Sequence, residues 1–240
     1  MAVFEAVDST HAAALRLIEQ VDNEELCLRV TVMVAVTQSR GVGRGSRRWS
    51  SAPGGLYLNW LGPLASADVL PRLPMIAAAA AHSAITAAGV TDATIKWPND
   101  ILVEGRKLAG LLIHSRRGDS ACVTVGLGLN LRPVTEPLGE PIHPPISLSE
   151  IVGDDGLEGR MLVAAVRFVK DLHLSLADSG PALERWRSHL IHREGDPITV
   201  QMGNGERAGG FFAGLTDEGY LRLRQIDGER VITGGDIIES

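Results

Sequence analysis

The chain is 240 residues long, 45% hydrophobic and 22% charged, with a formal net charge of −6 at pH 7. That length suits one large domain, or a large one with a small companion, and the composition excludes a disordered chain. The acidic balance excludes non-specific nucleic-acid binding through the whole surface, and no apolar run is long enough to span a bilayer.

The chain opens as a strand followed by a helix. Asp8-Ser9-Thr10 offers N-cap side chains to the run that starts at His11, whose apolar positions fall on one face. Leu28–Val36 is rich in β-branched residues and reads as a buried strand. The apolar stretch around it, Leu26–Val36, is broken by Arg29 and lacks the basic flank of a signal peptide, so a cytoplasmic location is expected. Thr37–Gly55 is then a loop with five glycines and four arginines, and Leu56–Trp60 returns to strand.

A second helix is expected from near Pro71 to Gly89, where a left-handed C′ residue would end it. Its Ala77–Ala81 run predicts close packing against a sheet. Strands follow at Ala93–Trp97, Ile101–Val103, Lys107–His114 and Ala121–Leu131. The turn residues Glu104-Gly105-Arg106 and Arg117-Gly118-Asp119 between them make this block antiparallel. After a proline-rich loop at Pro133–Pro145, Arg160–Leu176 and Pro181–Leu190 read as helices. From Gly195 onward, short strands recur at turn signals as in a small SH3-like barrel, which places a domain boundary near residue 193. Cys27 and Cys122 fall in apolar runs and read as reduced core residues; CxxC, HxH and HExxH spacings are absent.

Three segments carry chemistry. In the loop Gln38–Trp49, glycines let the backbone approach a ligand, and Arg40, Arg44, Arg47 and Arg48 supply forks that match phosphate oxygens. The GxxxxGK[ST] arrangement of a Walker P-loop is missing. Lys96-Trp-Pro-Asn-Asp100, followed by Lys107-Leu-Ala-Gly110, brings two lysines and an Asn–Asp pair to one turn. Pre-placed cations of that kind stabilise the charge that builds on an α-phosphate under attack. Gly126-Leu-Gly-Leu-Asn130 leaves room for a flat ring, with an amide able to read a base edge.

These segments, in this order, resemble the biotin–protein ligases (biotin–acetyl-CoA-carboxylase ligases), over nearly the whole chain. The Lys96–Asp100 and Lys107–Gly110 pair is the most specific part of the likeness. The resemblance implies an α/β (α+β) catalytic domain over residues 1–192, with a mixed, mostly antiparallel sheet flanked by helices. A small C-terminal SH3-like β-barrel would occupy residues 193–240. It further implies that Ser9, Thr10, Gln38, Gly41 and Gly110 hold biotin, and that Arg44, Arg47 and Lys96 hold the phosphates of ATP. Lys107 would lie between the biotin carboxylate and the α-phosphate. Asn99 and Asp100 would orient the nucleotide and Mg2+, or receive the proton of the incoming lysine. Asn130 would face the adenine, and Trp49 would cover the ligand.

The implied partner is a biotin carboxyl carrier protein, with no nucleic acid and no membrane; relatives occur as monomers and dimers, so a homodimer is one expected state. The helix at Ser9 leaves no room for an N-terminal helix-turn-helix, so no DNA-binding role is expected. Two positions depart from the family's usual pattern: His11 stands where asparagine is common, and Val42 where the glycine loop usually has arginine. Lipoate or octanoate ligation, and a non-catalytic biotin-binding relative, are the competing readings.

Overall fold

Strand β1 (Ala2–Val7) leads into helix α1 (Thr10–Gln20) and returns through β2 (Thr31–Gln38), so that β1 and β2 pair in parallel. Strands β3 (Gly55–Pro63), β4 (Thr94–Lys96), β5 (Asp100–Val103), β6 (Arg106–Arg116) and β7 (Cys122–Asn130) complete a seven-stranded sheet. Its order is β1-β2-β3-β7-β6-β5-β4, with every pair except the first antiparallel. This computed structural model describes residues 1–20, 29–45, 47–64, 66–116, 122–135 and 142–239. Cys27 and the expected turn at Arg117-Gly118-Asp119 lie outside the described residues.

Alternation along the central strands divides two environments. Leu56, Leu58 and Trp60 of β3 and Val123, Val125, Leu127 and Leu129 of β7 belong to the large core beneath helix α2 (Leu73–Ala87). The alanines of α2 are buried, as their run predicts, and helix α4 (Leu157–Ala177) crosses over them. Gly89 follows the end of α2 with φ +108°, a conformation that costs glycine little. The opposite sheet face is covered by α1, whose Ala14 and Ile18 pack on Met33, Leu61 and Cys122. The β5–β6 hairpin turns through Glu104 and Gly105, both at positive φ as a two-residue turn of this hand requires. Two further helices are α3 (Leu148–Val152), which the sequence reading missed, and α5 (Gly180–Ser188). Among the described residues, no helix is long and apolar enough to cross a membrane.

Strands β8 (Pro197–Gln201), β9 (Arg207–Leu215), β10 (Leu221–Gln225), β11 (Gly228–Ile232) and β12 (Asp236–Glu239) form a second, antiparallel sheet. Its order is β11-β10-β9-β8-β12, consistent with the expected SH3-like unit, although among the described residues β11 and β12 do not pair to close it as a barrel. At this edge the carbonyls of Gly235, just before β12, and of Ile237 within it accept from Arg44 and Lys96 of the other sheet's side.

Candidate active site

Glycines on two adjoining strands, β6 and β7, make the floor of a cavity on the α1 side of the large sheet. Gly128 of β7 lies between Tyr57 of β3 and Gly110 of β6, and Gly126 lies between Asn59 and Leu112. Without side chains, this row forms a shallow trough, and the indole of Trp49 rests in it. A methyl group built on Gly128 would stand 2.6 Å from that ring, and one on Gly110 would stand 2.9 Å away. Lys107 Nζ lies 5.3 Å from the same ring's centroid, within cation–π range. The remaining space is about 110 Å3.

One end of the cavity is neutral and polar. The β1–α1 turn carries Ser9 and Thr10, both buried, to the end of β2, where Val7 pairs with Gln38. Thr10 donates to Gln38 Oε1 from its backbone N–H (2.8 Å) and its hydroxyl (3.1 Å). Gln38 Nε2 in turn donates to Ser51 Oγ at 2.8 Å. His11, one residue further on, is buried beside His114 with its ring centroid 6.3 Å away. Burial pushes its pKa down to about 4, aided by the charge His114 can carry, so His11 is neutral at pH 7. Burial likewise raises the Tyr57 hydroxyl to about 12 while it donates to Ala52 O.

The other end is cationic. Lys107 pairs with Asp100 at 2.7 Å across the β5–β6 hairpin. Arg44 Nη1 donates to Asn99 Oδ1 (3.1 Å), Asp236 Oδ1 (3.1 Å) and Gly235 O (3.2 Å). Arg47 Nη2 donates to the other Asp236 oxygen at 3.0 Å, so one carboxylate of β12 holds two of the loop's four arginines. Lys96 is buried, and Nζ donates to Ile237 O at 2.7 Å. Burial lowers its pKa, against the attraction of Asp100 and Asp236.

The structure therefore brings Ser9, Thr10, Gln38, Arg44, Arg47, Trp49, Asn99, Lys107 and Gly110 onto one cavity. Gly41, Lys96, Asp100 and Asn130 are not in its lining. Gly41 closes the base of the loop, accepting from Trp49 N–H. Asn130 Nδ2 donates to the carbonyls of Lys107 and Ile146, both at 3.1 Å, so its two N–H groups fasten a loop instead of facing a base. Sequence reasoning missed Asp236, Tyr57 and Asn59. Asn59, a lone amide in the apolar run Leu56–Leu61, was the visible signal.

Buried polar atoms left unpaired cost about 1–3 kcal/mol each, so where they gather is informative. Six stand without a partner among the described residues, and His11 Nδ1, Trp49 Nε1 and Asn59 Nδ2 are at or directly beside this cavity.

Comparison with known proteins bears on both sheets. Residues 3–130 match the biotin/lipoate A/B protein ligase family, and residues 195–238 match the biotin protein ligase C terminal domain. The chain is 31% identical over 240 residues to the biotin–[acetyl-CoA-carboxylase] ligase of Paracoccus denitrificans, with 96% of each chain covered. It is 28% identical to the bifunctional ligase/repressor BirA of Escherichia coli (strain K12), over 99% of this chain and 73% of that one. Among solved structures, the biotin protein ligase from Aquifex aeolicus in complex with biotin and ATP shares the fold. The TM-score is 0.73 at 22% identity, over 98% of this chain and 96% of that one.

Proposed function

The chain belongs to the biotin/lipoate A/B protein ligase family as a biotin protein ligase, and from that premise we propose that it biotinylates a lysine of a biotin carboxyl carrier protein, using ATP. The observation that carries this reading is the polarity of the cavity. A neutral, hydrogen-bonding end and a cationic end are joined by a glycine floor. Biotin has the same order: a neutral ureido ring, an apolar chain and a carboxylate.

In the first step, a carboxylate oxygen of biotin attacks the α-phosphorus of ATP, and the bond to pyrophosphate breaks. Lys107 stands beside the reacting groups, where its charge offsets the repulsion between carboxylate and phosphate and stabilises the charge that develops. Asp100 holds Lys107 in place. Arg44 and Arg47 bind phosphate oxygens with the donors that Asp236 leaves free. Asn99 fixes Arg44 from the sheet side, and Lys96 holds β12 against the rim. In the second step, the neutral ε-amine of the carrier lysine attacks the mixed anhydride, its proton passes to solvent or to Asp100, and AMP leaves.

Among the described residues, no three of His, Cys, Asp or Glu gather as a metal site. Mg2+ would therefore be held mainly by the phosphates, with Asp100 as the contributing side chain. Residues 1–192 would carry the chemistry and residues 193–240 would close its cationic side.

The space left under Trp49 is small beside the roughly 300–1,000 Å3 of ligand sites in general, so the Arg40–Arg48 loop lifts to admit substrate and closes again to exclude water. Biotin-dependent exchange of labelled pyrophosphate into ATP tests the reading, with lipoate and octanoate as controls. Exchange with biotin alone is expected. Exchange with another acid in preference to biotin, or with none, would overturn it.

A further inference from the structure

Asn59 has no part in the reading above, yet it is a buried amide with an unmet donor directly behind the cavity floor. It is fully buried in the middle of β3. Thr124 Oγ1 of the neighbouring strand donates to Asn59 Oδ1 at 2.6 Å, which fixes the plane of the carboxamide. Nδ2 is then left with no acceptor. The residue paired with Asn59 across β3 and β7 is Gly126, whose missing side chain helps to open the cavity. A Cβ built on Gly126 would meet Nδ2 at 3.5 Å, so this donor lies just behind the floor at Gly126, although Asn59 itself is not in the cavity's lining.

We propose that Asn59 determines the enzyme's choice of acid, donating from Nδ2 to the ureido carbonyl oxygen of biotin. The proposal rests on the reading that biotin occupies this cavity. Its chemistry follows from what the neutral end contains. Thr10 and Gln38 spend much of their capacity on each other, and His11 is uncharged, so a strong neutral acceptor in the ligand matches the unmet donor that Thr124 orients on Asn59. A ureido oxygen is such an acceptor. The dithiolane sulfurs of lipoate are weak acceptors, and the hydrocarbon end of octanoate has none. A site that leaves a buried donor unpaired with the wrong ligand discriminates far more strongly than one that merely fits its shape.

The test is direct binding of biotin, desthiobiotin and octanoate to wild type, to Asn59→Ala and to the double variant Asn59→Leu/Thr124→Val. The double variant replaces both hydrogen-bonding partners with apolar groups of similar shape, which such pairs tolerate, and its melting temperature checks the fold. In both variants, affinity for biotin and for desthiobiotin is expected to fall roughly tenfold or more, while affinity for octanoate changes less than about twofold. Unchanged biotin affinity in a folded variant overturns the proposal, as does an equal loss for all three acids. A loss for biotin but not for desthiobiotin, which keeps the ureido group and lacks the sulfur, overturns the assignment to the carbonyl oxygen. Wild-type protein that binds octanoate in preference to biotin overturns the underlying reading as well, and the wild-type titration alone reveals it.

Discussion

The two ends of the cavity are built by different means. Its floor and neutral end stand on adjoining strands and the first turn of α1, where strand register sets position: Gly126 and Gly128 of β7 meet Asn59 and Tyr57 of β3 and Leu112 and Gly110 of β6. The cationic rim depends on a loop in which Arg44 and Arg47 are held by Asp236, a residue of the other sheet. A rigid floor can discriminate between substrates because its donors cannot follow a poor ligand. A clasped loop can admit and release a nucleotide. On the function proposed above, recognition of the acid and handling of the phosphates would fall to parts of the molecule with different freedom to move.

The largest effect should come from the residue that joins the two ends. Lys107→Ala removes the cation at the junction, and biotin-dependent pyrophosphate exchange is expected to fall roughly 10²–10³-fold while the melting temperature stays near wild type. Near-normal exchange would mean that the rim works without it. The floor is tested next by Gly128→Ala. The added methyl would crowd the Trp49 ring, and β3 and β6 hold the strand on both sides, so the ring must leave its trough. Biotin affinity should drop by about 10–100-fold, the range that overpacking costs of 1–3 kcal/mol imply. A variant that still binds biotin normally would show that the ligand does not lie on the floor.

This division also decided what could be read from the chain. The hairpin at Glu104-Gly105 and the buried alanine helix follow from local chemistry, and the structure has both. Lys107, Gly110 and Gly128 line the cavity, and the short segments around each already singled them out in the sequence. Helix α3 is too short to show a period, although Ser147 and Glu150 form a capping box that marks its start. Asp236 carried no local signal, because Arg44 is 192 positions away and only the docking of two sheets gives either residue its role. Asn130, expected to face a base edge, is a similar case, because its N–H groups are spent on backbone carbonyls. Its partners, the carbonyls of Lys107 and Ile146, come from segments that the sequence does not visibly bring together.

The clasp itself is open to a milder perturbation. Asp236→Asn keeps the shape of the side chain and one acceptor but removes the charge that Arg44 and Arg47 share. KM for ATP should rise about five- to tenfold, with little change in KM for biotin, since these exposed-to-half-buried pairs are worth less than fully buried ones. Trypsin should also cut faster within Arg40–Arg48 in the absence of any substrate. A fall in KM for ATP would mean the reverse arrangement, in which Asp236 competes with the phosphates for the arginines.

The smallest effect on binding should come from acidification, and it separates the neutral end from the fold that carries it. Burial holds His11, His82 and His192 each at about 4, below the ordinary histidine value of 6.5. Between those values the unfolded chain binds protons that the folded chain does not, so stability is full above pH 6.5 and is lost as pH falls towards 4. At pH 5 each histidine withdraws on the order of 2 kcal/mol, and the melting temperature should drop clearly from its value at pH 7. Asp8 and Glu150, whose pKa values are lowered chiefly by hydrogen bonds from Arg16 and Ser147, push the same way as pH falls further. Yet His11 in the folded protein is still mostly neutral at pH 5, so biotin affinity measured at a temperature well below melting should change less than about twofold. Calorimetric titration at pH 7 and pH 5 checks this. A collapse of affinity at pH 5 with the fold intact would mean that His11 titrates near 6 and that the neutral end is more open to water than its burial indicates.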